Sequence, residues 1–396
     1  MPSQNLVLSC LSGTSRDGLD IGLCRVLQKH TNSAAPVFIV DLLETTTVAF
    51  PAAVSSLLSR ICFSDKTSVP ELMDADAVLG TYIGEQLLLF MRRQGIPAED
   101  LLCIASHGQT LYHQAAGSGQ DRKALTLQIA EPDRISRITA VPVAADFRQA
   151  HIAAGGEGAP LAPVLDYYAY RPEPSPASRT RVLINLGGIA NLTLIRPREK
   201  LSEVIYGDTG PANTILDQAV QRFAPDIAAG YDAGGRLAQQ GLIHQKLFER
   251  LIAHAFFKQP LPKSTGPEVF HLDWALSEAD AAGIPFRELT LPDLLATLTE
   301  LSAITLAQSI RQALSQTNEF EAFGSGGGMH NQTLTRRIGH HLGLNGPLQG
   351  VEKLGGSADF KEVALFALLG YFRQHRIRIP LFEGQPPVLL GKLSEA

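Results

Sequence analysis

Residues 6–10 and 21–27 are apolar, with the polar run LSGTSRDGLD between them, and residues 37–44 continue the same pattern of short apolar stretches. Runs of this length bounded by turn-forming residues predict a strand meander at the start of the chain. From 52 to 93 the apolar spacing changes to three and four, which predicts helices that Gly95 and Pro97 stop. Residues 102–106 predict a short buried strand that delivers SHGQT at its end, where open α/β sheets place their ligands. The segment RVLINLGGIANLTLIRP, residues 181–197, repeats the opening pattern of strand, glycine turn and strand. Helical spacing follows over 214–223, 242–257 and 291–316. The run EAFGSGGGMHN then predicts a strand, a triple-glycine turn and a helix capped by Asn331. The last helix, FKEVALFALLGYF, carries Glu362 near its start.

RPEPSPAS, residues 171–178, is a stiff linker by its alternating prolines. Two similar hairpins, one on either side of it, predict a duplicated α/β chain with two lobes and a cleft between them. The expected division is 1–175 and 176–374, with 375–396 packing back on the first lobe.

Composition narrows the function. The 396 residues are 45% hydrophobic and 18% charged, with a net charge of −5, so the basic footprint of a nucleic-acid binder is missing. No apolar run approaches the roughly 20 residues that span a bilayer, and the amino terminus lacks a secretory pattern. Cys10, Cys24, Cys62 and Cys103 have no CxxC spacing and lie mostly in apolar runs, which predicts buried thiols in a reducing cytoplasm. A small-molecule function is the expectation.

Three glycine-rich turns lie in strand contexts: Gly13 to Gly18, Gly187–Gly188, and Gly326–Gly327–Gly328. Such turns let a backbone approach a ligand and aim N–H groups at phosphate oxygens. They match neither a Walker A sequence nor G-x-G-x-x-G, but together they suit a nucleotide. Asp208 in YGDTGPAN either caps a turn or is a carboxylate fixed beside a phosphate site as general base, with Asn213 capping the next helix. In DFRQAHIAAGGEGAPL, Asp146 and Arg148 are either a surface pair or an anion-binding arginine oriented by an aspartate. His107, Gln109 and His113 are open to structural and binding readings alike.

Seven motifs in order (LSGTSRDGLD, SHGQT, DFR with AAGGEGAPL, LINLGGIANLT, YGDTGPAN, PKSTGPEVF and SGGGMHN) resemble the anhydro-N-acetylmuramic acid kinases over essentially the whole chain. That family is a branch of the sugar kinase/Hsp70/actin superfamily. The resemblance implies an α/β, two-lobed fold with a duplicated RNase H-like core and an ATP cleft. It implies hydrolysis of a 1,6-anhydro bridge coupled to phosphorylation of O6, giving N-acetylmuramic acid 6-phosphate in cell-wall recycling. By motif, Gly13, Thr14, Ser15, Asp17 and Gly18 would meet the ATP phosphates, Gly187 and Gly188 would form the second phosphate turn, and Gly326, Gly327 and Gly328 would lie by the adenosine. Mg²⁺ would be held mainly through water and the phosphates, with Asp17 and Asp208 nearby. Asp208 would be the base that activates water, while His107, Gln109, Arg148 and Glu362 would lie on the sugar side. A homodimer is implied as well. His151 stands where the family pattern has aspartate, which keeps another anhydrosugar such as levoglucosan open as substrate. A kinase for an ordinary sugar hydroxyl and a non-catalytic ATP-binding protein are the remaining alternatives. Arg16 has no assigned role.

Overall fold

The computed structural model describes residues 5–13, 18–29, 35–62, 64, 66–114, 123–175, 177–285, 289–314 and 319–395. Within these the strands are β1 (Leu6–Ser12), β2 (Gly18–Lys29), β3 (Val37–Ala49), β4 (Cys103–Gln114), β5 (Leu125–Ile129), β6 (Val143–Ala145), β7 (Thr180–Leu186), β8 (Ile189–Ile195), β9 (Ile205–Pro211), β10 (Phe320–Ser325), β11 (Gln349–Gly350) and β12 (Lys392–Ser394). Contacts divide the chain into two units, Met1–Tyr170 with Phe360–Ala396, and Arg171–Asp359. The first break falls at the start of the proline-rich linker.

The first unit holds a sheet in the order β12-β6-β4-β1-β2-β3, with β5 also paired to β4. Its β1, β2 and β3 form an antiparallel meander, while β1, β4 and β6 run parallel. The second unit holds a sheet in the order β11-β10-β7-β8-β9, in which β7, β8 and β9 are antiparallel and β7, β10 and β11 parallel. Each unit therefore builds the same pattern, a meander whose first strand is extended on its other side by two parallel strands. The duplication expected from two glycine hairpins is present in the pairing of the strands.

The helix Lys361–Gln374 belongs to the first unit, which moves the expected boundary from 374 back to 359. The reason is packing: it lies on β1, β2 and β4, where Gly370 and Gly22 let the surfaces close. A Cβ on Gly370 would stand 2.7 Å from that of Ala105, and one on Gly22 2.6 Å from a methyl of Val363. Behind the same sheet, Leu79, Ile83 and Leu87 of the helix Val69–Gln94 are buried in a core with Leu8, Ile21 and Ile104. That helix begins on a reciprocal Ser68–Glu71 cap and ends on Gly95 at φ 65°, where the sequence places its stop. In the second unit Leu186, Leu192, Leu306 and Ile310 form one core, and Ile215, Leu247, Phe270 and Leu298 another. All four cysteines are buried free thiols.

β4 does not stop at residue 106 but runs on to Gln114. Gly108, at φ 69°, bends the strand so that pairing with β5 continues past His107. A Cβ there would stand 2.2 Å from the Ile129 carbonyl oxygen. Gly108→Ala therefore combines a backbone clash with a left-handed conformation, and is expected to destabilise the fold by at least about 2 kcal/mol, read as a lowered urea midpoint.

Candidate active site

The polar residues of the first unit gather around Arg148, which precedes the short helix Gln149–Ala153. Its Nε donates to His107 Nε2 at 3.0 Å, and its Nη1 donates to the Gly158 carbonyl at 2.9 Å. His107 Nδ1 lies 3.2 Å from the Gly108 carbonyl. Since Nε2 accepts from an arginine, the ring is neutral and carries its proton on Nδ1. Burial first, and then the Arg148 charge, holds this imidazole well below its usual pKa. Its ring also packs on Phe366, 4.5 Å away between centroids. Glu362, at the start of the same helix as Phe366, is open to solvent although protein crowds it. Desolvation raises its pKa, Asp20 raises it further, and Arg148 and Lys361 oppose the rise. Lys361 itself is buried and paired with buried Asp166 at 2.6 Å, which ties the start of this helix to the helix Ala162–Tyr170.

One expectation changes here. Asp146 does not orient Arg148; it pairs with Lys392 of β12 at 2.5 Å, because the terminal strand adds itself to β6 beside it. Gln109 is 1% exposed, accepts from Ser12 Oγ at 2.5 Å and donates to the Thr110 carbonyl at 3.1 Å. Both ends of its amide are thus engaged by protein, and the bond to Ser12 ties β4 to β1. His113 is half-buried beside Thr126 Oγ1.

His151 is buried, and its pKa falls to about 4, through desolvation first and then the Arg148 charge. Both it and His107 are neutral in the fold and take up a proton near pH 6.5 when unfolded. The unfolded chain binds more protons below that pH, so stability is lost as pH falls from about 6.5 toward 4. For His151 the loss is about 2 kcal/mol by pH 5. Urea midpoints measured between pH 7 and pH 5 should fall accordingly, and His151→Asn should flatten the slope.

In the second unit Asp208 lies on β9 between Gly207 and Gly210, whose φ angles are 153° and 147°. A Cβ on Gly207 would meet the Lys263 carbonyl at 2.8 Å, and one on Gly210 would meet the Phe257 ring at 2.8 Å. Gly207 lets β9 press against Lys263, next to the residues that hold the carboxylate, and Gly210 lets it press against Phe257. Asp208 Oδ2 accepts from Thr265 N at 2.9 Å and from Ser264 Oγ at 3.1 Å, while its own N–H donates to the Lys263 carbonyl. Oδ1 takes no hydrogen bond from the described residues. The side chain is half-buried, and desolvation raises its pKa, with Glu268 adding to the rise and the two hydrogen bonds opposing it. A carboxylate with one oxygen clamped, the other free and an elevated pKa is suited to taking a proton.

The second and third glycine turns meet in the same unit. The Gly187 and Gly188 carbonyls accept from the first N–H groups of the helix Asn213–Phe223. Asn213 does not cap that helix as expected: Ala212 is its N-cap, and the Asn213 amide donates to the Leu186 carbonyl at 2.9 Å. Gly326, at φ 86°, and Gly328 both approach that carbonyl, where a Cβ would stand 2.8 and 3.0 Å away. Asn331 does cap the helix Gln332–Leu342. Gly327 faces an open pocket of about 280 Å³ with Asn213, Asp217, Tyr231, Asp232 and His330. Asp217 has its pKa raised to about 6 by desolvation.

Gly13 and Gly18 flank the first turn, and Gly18 is already paired in the ladder with β3. Thr14, Ser15, Arg16 and Asp17 lie outside the described residues. Ser264 and Thr265 lie in PKSTGPEVF, but the motif carries no sign of their role, which depends on meeting a carboxylate 56 and 57 positions away. Asp217 and Tyr231 carried no motif signal at all. Among the described residues no group of three or more His, Cys, Asp or Glu side chains is placed to hold a metal, and no helix is long and apolar enough to cross a membrane.

The family model for anhydro-N-acetylmuramic acid kinase matches residues 5–385. An enzyme of that description from Pseudoalteromonas atlantica is 38% identical over 395 residues, covering 98% of this chain and 95% of its own. One from Microcystis aeruginosa is 34% identical, covering 98% of this chain and 99% of its own. With a family match over residues 5–385 and relatives covered over nearly their whole length, this chain belongs to the anhydro-N-acetylmuramic acid kinase family.

Proposed function

We propose that this kinase binds ATP with 1,6-anhydro-N-acetylmuramic acid and couples bridge opening to phosphorylation. Water adds to C1 as the C1–O6 bond breaks, the water proton passes to Asp208 Oδ1, and O6 takes the γ-phosphoryl group, leaving ADP and N-acetylmuramic acid 6-phosphate. The observation that carries the reading is the Asp208 carboxylate, clamped through Oδ2 by Ser264 and Thr265 and free at Oδ1. Its raised pKa brings it closer to the proton affinity a base needs near neutral pH.

Gly187, Gly188 and the pocket beside Gly327 suit a nucleotide: backbone close approach for phosphates, an open recess for adenosine. Mg²⁺ would neutralise phosphate charge during transfer. The ion would be held mainly by the phosphates and water, with Asp17 and Asp208 nearby. In the first unit Arg148 and Glu362 present the charges suited to the polar groups of the sugar, and His107 fixes the arginine. Incubation with Mg-ATP in ¹⁸O-water should give a sugar 6-phosphate with heavy oxygen at C1 in short reactions. No turnover with this anhydrosugar, or faster turnover of levoglucosan, would overturn the reading.

A further inference from the structure

We propose that His151 is a positioning residue for the sugar end of the site: its neutral ring pins the turn after the helix Gln149–Ala153, and that turn holds Arg148. The inference rests on the kinase reading above and assigns a residue that reading does not use.

A continuous chain of contacts carries it. The Gly158 N–H donates to His151 Nδ1 at 2.9 Å, and the Gly158 carbonyl accepts from Arg148 Nη1 at 2.9 Å. Arg148 Nε then donates to His107 Nε2 at 3.0 Å. One peptide unit apart, the two polar groups of Gly158 thus connect a histidine to the arginine. Gly158 is buried at φ 83°, so its N–H depends on a protein acceptor and its geometry is available chiefly to glycine. The ring is fixed on its other sides as well. A Cβ on Gly156 would stand 2.2 Å from His151 Cε1, so only glycine lets the chain pass there, and the Phe382 ring packs at 5.2 Å.

An acceptor at the δ1 position is the property the contact requires, and an asparagine places its Oδ1 at nearly the same point from the backbone. His151→Leu removes the acceptor with similar bulk. It should raise KM for the anhydrosugar by about tenfold or more, leave KM for ATP unchanged, and speed exchange of the Arg148 Nε proton. His151→Asn should restore both sugar KM and proton protection to within about threefold of the parent. Equal behaviour of the two variants, or a matching rise in KM for ATP, would overturn the proposal. Nitrogen spectra of the unsubstituted protein supply a test that needs neither turnover nor a stable variant: the His151 proton should reside on Nε2 at neutral pH, and a proton on Nδ1 would overturn it. Failure of the unsubstituted enzyme to use the anhydrosugar would count against the kinase reading, while the proton-exchange and nitrogen measurements would still decide the role of His151.

Discussion

Asp208→Asn is expected to lower kcat by at least about a thousandfold while the dissociation constant for ATP stays within about threefold of the parent. The substitution keeps the shape of the side chain. An amide oxygen can still accept from Thr265 N and Ser264 Oγ, so the β9 geometry set by Gly207 and Gly210 has no reason to move. What is lost is the capacity of the second oxygen to take a proton. A lost general base costs roughly 10²–10⁴ in rate. Rapid-equilibrium nucleotide binding and single-turnover rates separate the two quantities. A kcat within about tenfold of the parent would place the base elsewhere.

Arg148→Met has the second-largest expected effect, a fall of about 10²–10³ in kcat/KM for the anhydrosugar. Methionine retains much of the apolar stem but removes the donors to His107 and Gly158 and the positive charge acting on Glu362. The His107 ring then has no donor for Nε2, and its pKa should rise because one of the two influences holding it down is gone. The Glu362 pKa should also rise, since Arg148 is the largest influence opposing its desolvation. The acidic limb of the rate profile is therefore expected to move to higher pH. A pH profile of kcat/KM that superimposes on the parent profile would show that Arg148 does not govern the charge of Glu362.

The outline of both sites was legible in the sequence where backbone conformation is the requirement. The glycine runs Gly187–Gly188 and Gly326–Gly328 point to close approach, and in the structure the absent side chains of Gly188, Gly326 and Gly328 let β7, the Asn213 helix and the triple-glycine turn converge. YGDTGPAN announced a constrained carboxylate. Its setting on a strand, and not at a turn, was not legible, because the constraint comes from Lys263 and Phe257 pressing on Gly207 and Gly210. Closeness in sequence does not settle which charged groups pair. Asp146 is two positions from Arg148, but its own left-handed backbone, at φ 53°, and the arrival of β12 give it Lys392 instead.

By itself the sequence determined the local elements, the duplicated hairpins, the buried thiols and, through an ordered set of motifs, the family. These depend on periodicity, capping and turn chemistry, which act over a few residues. Only the tertiary structure decided that the helix Lys361–Gln374 completes the first unit, that Gln109 is bonded inward, that Ser264 and Thr265 clamp Asp208, and that His151 reaches Arg148 through Gly158. Each of those outcomes is settled by which groups tertiary packing brings together, a competition that local periodicity, capping and turn chemistry do not decide.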